Sequence, residues 1–227
     1  MHMTMKAVLA LALAAPLQVF AADTVDWAHW SNVNNATLTQ NGQLVHVTYT
    51  GDNAGLDLNA YIYDHPASFT NADVTNTPGS NGTIDMVGGK QTVNVIHFDH
   101  PVVNPYMDVF SVGRGGLPVS FVFLNADVSI LSQGAGHWGG GTLTQSGNTI
   151  TGQEGNGLLK LTGTYTEIDF QTPNLESYYG ATVGVALTAP VPEPASWGML
   201  LSGLGLLFIR GFLPGGFRKA PPPGRTG

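Results

Sequence analysis

The chain has 227 residues, a formal net charge of −7 and no cysteine. The missing thiol excludes disulfides, thiolate metal sites and cysteine nucleophiles. Between residues 22 and 190 the cations are Lys90, Arg114 and Lys160 against fourteen acids, a balance of −11, and a surface of that sign does not bind the phosphates of nucleic acid.

In chain order, Lys6 is followed by an apolar run from Ala7 to Leu17, and small residues stand at Val19 and Ala21. Charge, apolar segment and small-residue site in that order read as a secretory signal peptide over residues 1–21, cut by signal peptidase between Ala21 and Ala22. The apolar run is too short to span a bilayer.

Residues 22–190 are long enough for one domain whose core stands without disulfides. Gln43 to Gly51 (QLVHVTYTG) alternates Val45, Val47 and Tyr49 against Leu44, His46, Thr48 and Thr50. Gln91 to Phe98 alternates in the same way, and further strands are expected at Tyr106 to Val112, Val119 to Phe123, Val128 to Leu131 and Gly141 to Leu143. Ser146 to Asn148 has the turn chemistry of a hairpin. Leu158 to Phe170 reads as two strands joined near Gly163, and Ala181 to Leu187 closes the domain. Eight or more short antiparallel strands without intervening helices predict an all-β, jelly-roll-like antiparallel sandwich. Tyr63 to Gly89 shows little alternation and is expected to be a long surface excursion.

Several residues are candidates for chemistry. Asp52 and Asp57, with Asn53 and Asn59, offer hard oxygen ligands of the kind calcium takes, although their spacing is not that of an EF-hand loop. His97 and Asp99 share a strand face beside His100, with no third metal ligand evident nearby. Trp138, set among glycines in GAGHWGGG, either stacks on a sugar ring or folds inward over the core. Glu154, Glu167, Glu176 and the many aspartates are candidates for the acid and nucleophile of a glycosidase, a pairing that depends on a separation fixed by the fold. Serine-nucleophile, P-loop and dinucleotide motifs are missing from the sequence. The chain therefore reads as a non-enzyme, with calcium as the one candidate cofactor.

The tail runs VPEPASWGMLLSGLGLLFIR from Val191 to Arg210. Residues 195–213 make about 19 residues of expected transmembrane helix, roughly 28 Å long, against a hydrocarbon core of about 30 Å. Arg210 would turn its guanidinium toward the headgroups, and Arg218, Lys219 and Arg225 obey the positive-inside rule. The Pro- and Gly-rich end, residues 220–227, is expected to be disordered. Residues 191–219 resemble the PEP-CTERM sorting signal of Gram-negative bacteria in Pro192, Glu193, Pro194, the apolar run and Arg210. They depart from it in the GFLPGGF that separates Arg210 from the next basic residues. The resemblance implies a precursor anchored in the inner membrane, cleavage by an exosortase near Pro192–Pro194, a mature product that is secreted or held at the cell surface, and association with exopolysaccharide.

A second resemblance covers most of Asp23 to Leu187. The run IHFDHPVVNPYMDVFSVG (Ile96 to Gly113), the early Trp27 and Trp30, the Val45-Val47-Tyr49-Gly51 strand and the block GNGLLKLTGTYTEIDF are similar to the non-repeat domain of CshA-type adhesins. That implies a lectin-like jelly roll used for adhesion. Within the motif, Pro101 and Pro105 cannot donate to a ladder and are expected to bound an edge or crossover connection. Asn104, preceding a proline, is expected to be extended, with an amide that ties down loop backbone. An adhesive or structural matrix protein is thus the first expectation, a module binding surface glycans the second, and a secreted glycoside hydrolase the third.

Overall fold

The structure, a computed structural model, describes residues 23–188. The expected signal peptide, the Pro-Glu-Pro motif and the span 195–213 lie outside the described residues. Among the described residues no helix is long and apolar enough to cross a membrane.

In chain order the strands are β1 (Val25–Trp27), β2 (His29–Asn32), β3 (Asn35–Gln40), β4 (Gln43–Thr50), β5 (Asn53–Asp57), β6 (Thr83–Met86), β7 (Asn94–Val103) and β8 (Tyr106–Val112). They continue with β9 (Val119–Phe123), β10 (Asp127–Gly134), β11 (Thr142–Ser146), β12 (Thr149–Gln153), β13 (Gly155–Thr162), β14 (Thr164–Gln171) and β15 (Tyr179–Ala186). Two sheets result. One runs β10-β13-β8-β15-β6-β5, with β1 also paired to β15, and the other runs β11-β12-β9-β14-β7-β4-β3-β2. From β7 to β10, and again from β12 to β15, successive strands alternate between the sheets. This winding is that of a jelly roll, and the all-β sandwich expected from the sequence is present.

Alternation explains the core. Val45, Val47 and Tyr49 of β4, Ile96 and Phe98 of β7, and Phe121 and Phe123 of β9 point inward from the eight-stranded sheet. They meet Met107 and Val109 of β8, Leu159 and Leu161 of β13, and Val183 and Val185 of β15. Each fully buried side chain of this size contributes about 1.5–3 kcal/mol.

The seven-stranded sheet breaks the simple pattern, because every residue of β8 and of β15 is buried. A strand buried on both faces needs a cover on each. The second cover is the segment expected to be a surface excursion. A short 3-10 turn, Ala60–Tyr63, leads into it, and a second, Pro66–Ser68, lies within it. Ile62 of the first turn, with Tyr63 and Phe69 of the segment, packs on Phe110, and Val74 packs on Tyr106, Leu158 and Trp27. Its last part is β6, which pairs with both β15 and β5. The excursion is therefore a third layer and a sheet strand. Its packing residues are spaced irregularly, so no period of 2 announces them.

The Asn104–Pro105 corner carries the chain from one sheet to the other, as expected of Pro105. Pro101 instead lies within β7, in an irregularity where β14 skips from Tyr165↔Val102 to Glu167↔His97, one of the few places a strand tolerates proline. Asn104 is not extended: its φ is +48°. Its N–H donates to the Gly163 carbonyl at 2.7 Å, and its Oδ1 accepts from the Gly163 N–H at 2.9 Å. Asparagine tolerates the left-handed region, and this reciprocal pair fastens the β7–β8 corner to the β13–β14 corner.

Candidate functional site

At one end of the seven-stranded sheet a cleft of about 650 Å³ opens on its outer face. The ladder makes its floor. Gly55 lies opposite Asp85, Asp85 opposite Gly180, and Gly180 opposite Phe110. Cross-strand partners share a face, so this row presents glycine, carboxylate, glycine and aromatic ring side by side. The space above Gly55 is open. A side chain at Gly180 would overlap the Phe110 ring. Asp57 is diagonal to Asp85 on the same face, since Asp57 faces Thr83. Glu154, Glu176, Arg114 and Trp138 complete the working lining.

The rim is aromatic. Trp138 is 45% exposed; it leans on the buried Phe110 ring at 5.5 Å and meets Tyr61 edge-on at 5.5 Å. Tyr178, 84% exposed, also lines the cleft. Two devices hold the Trp138 loop. From outside, Asp64 accepts from His137 Nδ1 at 2.7 Å and pairs with His65 Nδ1 at 2.6 Å; His137 first and His65 second hold its carboxyl below the usual range. From inside, the Asn156 amide, 1% exposed, joins four backbone groups. Its Oδ1 accepts from the Ser111 N–H at 2.8 Å. Its Nδ2 faces the carbonyls of Glu154, Gly139 and Gly134 at 3.1, 3.3 and 3.4 Å. Ser111 and Glu154 both have positive φ, +49° and +57°. The amide thus supports left-handed backbone on two sides of the cleft.

The electrostatics are lopsided. Burial, and then the neighbouring Asp57, pushes Asp85 up to about 6. Deeper in β8, Asp108 is buried with neither carboxylate oxygen hydrogen-bonded, and burial raises its pKa well above the usual range. Among the described residues no ion pair joins Arg114 to any of the cleft carboxylates.

Of the residues singled out in the sequence, Trp138, Asp57, Glu154 and Glu176 meet at the cleft. Trp138 packs on the buried Phe110 ring and leaves nearly half its surface outside. Glu167 lies on β14 in the other sheet. Asp52 is not beside Asp57. It is hydrogen-bonded to Thr92, which chiefly lowers its pKa, and ion-paired to Lys90 at 3.2 Å, while Asp57 accepts from the Asn59 N–H at 2.8 Å. Asp99 pairs with His100 at 2.9 Å and accepts from the His46 N–H at 2.8 Å. Among the described residues no three His, Asp or Glu side chains are grouped to hold a metal ion. Asp85, Phe110, Gly180 and Asn156 were not anticipated. The one signal in the sequence was the density of glycine around Trp138 and on either side of Asn156.

Residues 190–213 match the family model of the PEP-CTERM protein-sorting motif. The chain carries this sorting motif. The match spans Pro192, Glu193, Pro194 and Arg210, the residues that carry the resemblance, and it begins two residues beyond the described part of the chain. A PEP-CTERM motif marks a protein that leaves the cell, is sorted by an exosortase and bears its sorting signal at the C-terminal side of the mature part. No curated protein and no solved structure compared with the chain matches it.

Proposed function

We propose that the sandwich between the two export signals is a non-enzymatic, adhesive glycan-binding module displayed outside the cell after exosortase processing. The observation that carries this reading is the half-exposed Trp138, propped by Phe110 and pinned through His137, over a cleft floored by carboxylates and glycines. An indole held rigidly at the mouth of a cleft offers its face to the C–H groups of a sugar ring, and its ordering cost is already met by the fold. Carboxylates and the Arg114 guanidinium supply directional partners for ring hydroxyls. Exopolysaccharide outside the cell is the natural glycan for an exported domain of this kind. Calcium plays no part in the reading.

The test is a glycan array probed with the mature protein, followed by titration calorimetry on the best ligand. Trp138→Ala is expected to weaken binding by about 1–2 kcal/mol, roughly tenfold. An array without any saccharide hit, or binding untouched by Trp138→Ala, overturns the proposal. A secreted hydrolase is the competing reading. It requires turnover of the bound saccharide, and reducing-end release abolished by Asp85→Asn would establish it.

A further inference from the structure

The charge in the cleft is too one-sided for a ligand recognised through hydroxyl groups alone. Asp57, Asp85, Glu154 and Glu176 face one guanidinium, Arg114. Elsewhere among the described residues four of the ten acids take basic partners: Asp26 with His29, Asp52 with Lys90, Asp64 with His65 and His137, and Asp99 with His100. Among the described residues none of the four cleft carboxylates has an ion-pair partner. Asp57 and Asp85 stand diagonally on one face, where like charges repel, and Asp85 is partly withdrawn from water. A cation placed between them relieves both costs.

A single metal ion does not fit this pattern, because the four acids are spread around the opening and no three are grouped to ligate one. Dispersed negative charge around an aromatic platform suits an extended ligand that carries several separated positive charges. Its repeating units must also present an apolar ring face to Trp138 and Tyr178.

Resting on the glycan-binding reading above, we propose that the cleft selects a cationic saccharide, a polymer of amino sugars with free amino groups, seating an ammonium against Asp57 and Asp85 and a ring against Trp138. Ammonium groups donate up to three charge-assisted hydrogen bonds to carboxylates. N-acetylation removes that charge and adds bulk. The cleft therefore discriminates between acylated and free forms of the same polymer.

The mature exported protein is titrated at pH 7 with four probes of matched length: a glucosamine oligomer, its fully N-acetylated counterpart, a neutral glucose oligomer and oligolysine. The glucosamine oligomer is expected to bind at least about tenfold more tightly than either uncharged sugar. Raising the salt from 0.05 to 0.5 M, which shortens the Debye length from about 14 to about 4 Å, should remove most of that advantage. Asp85→Asn, which relieves repulsion in the free protein and is therefore expected to fold, should cut glucosamine binding about threefold to tenfold and change binding of the glucose oligomer by a smaller factor, so that the preference for the charged sugar narrows. Equal affinity for charged and neutral sugars overturns the charge selection while the glycan-binding reading survives. Oligolysine binding as tightly as the glucosamine oligomer also overturns it, since charge would then act without the ring. Failure of all three sugars removes the glycan-binding reading itself.

Discussion

Replacing Asn156 separates two contributions that most substitutions confound. Asn156→Ala deletes the side-chain acceptor for the buried Ser111 N–H and leaves a small void at a position 1% exposed. An orphaned buried donor costs about 1–3 kcal/mol, and with the void the loss is about 2–4 kcal/mol. Asn156→Asp is nearly isosteric and keeps the acceptor. It nevertheless turns the Nδ2 donor into an oxygen aimed at the carbonyls of Glu154, Gly139 and Gly134. A buried, uncompensated carboxylate facing three carbonyl dipoles costs about 3–5 kcal/mol at pH 7. The conservative replacement is thus expected to be the more damaging one. Against a total of about 5–15 kcal/mol, both variants stay folded in water, with urea midpoints ordered wild type, Ala, Asp. Burial raises the pKa of the new carboxyl, so its deficit should shrink as acid protonates it and restores a donor. The assay is urea unfolding at pH 7 and pH 4.5 with an unchanged m-value. An Asp variant as stable as wild type at pH 7 would refute the carbonyl contacts, and an Ala variant of wild-type stability would refute the Ser111 bond.

Three further outcomes follow from the same geometry. Asp85 titrates at 3.8 unfolded and at about 6 folded, so the folded state prefers the proton and the domain loses stability as pH climbs from about 4 to about 6. That interval is worth about 3 kcal/mol at full strength and about 1 kcal/mol after solvent screening at this half-buried position; Asp85→Asn should flatten the slope in urea titrations run across that range. Gly180→Ala drives a methyl into Phe110 and to 2.6 Å from the Ile84 carbonyl oxygen. A loss of about 1–3 kcal/mol in urea unfolding is expected, with weaker sugar binding because Phe110 supports Trp138; unaltered unfolding and binding would contradict the packed floor. Glu193→Ala or Pro194→Ala should leave an uncleaved, membrane-retained precursor on immunoblots of fractionated cells, and normal maturation of either variant would contradict sorting through the motif.

The strands could be read where one face is buried and the other is wet. Tyr106–Val112 and Val119–Phe123 were legible to the residue, the break at Gly163 falls between β13 and β14, and the turn after Ser146 joins β11 to β12. In β8 the pattern was right for the wrong reason, since both of its faces are buried. The three-layer arrangement was hidden because the covering segment packs through isolated Ile62, Tyr63, Phe69 and Val74, which share no period. Asn104 was foreseen as a clamp on loop backbone, but its left-handed φ was not, because the rule for residues before proline ignores a partner as close as Gly163. The cleft shows the same limit. Trp138, Glu154 and Glu176 were noticeable as residue types. Their meeting with Asp57 and Asp85 depends on a ladder register that brings positions more than a hundred residues apart onto one surface.

Strand β15 begins beside the cleft, at Gly180 opposite Phe110, and ends at Ala186, where it pairs with Val25. Six residues of strand put about 20 Å between these points. The two ends of the described residues therefore share the pole of the sandwich opposite the mouth. On the proposed glycan-binding reading, a pull on a captured polymer that is resisted at the C-terminal end of the described residues runs along β15 and loads its bonds to β8 sideways and together. The ladder is strained in shear, with many bonds sharing the force, instead of being peeled apart one rung at a time.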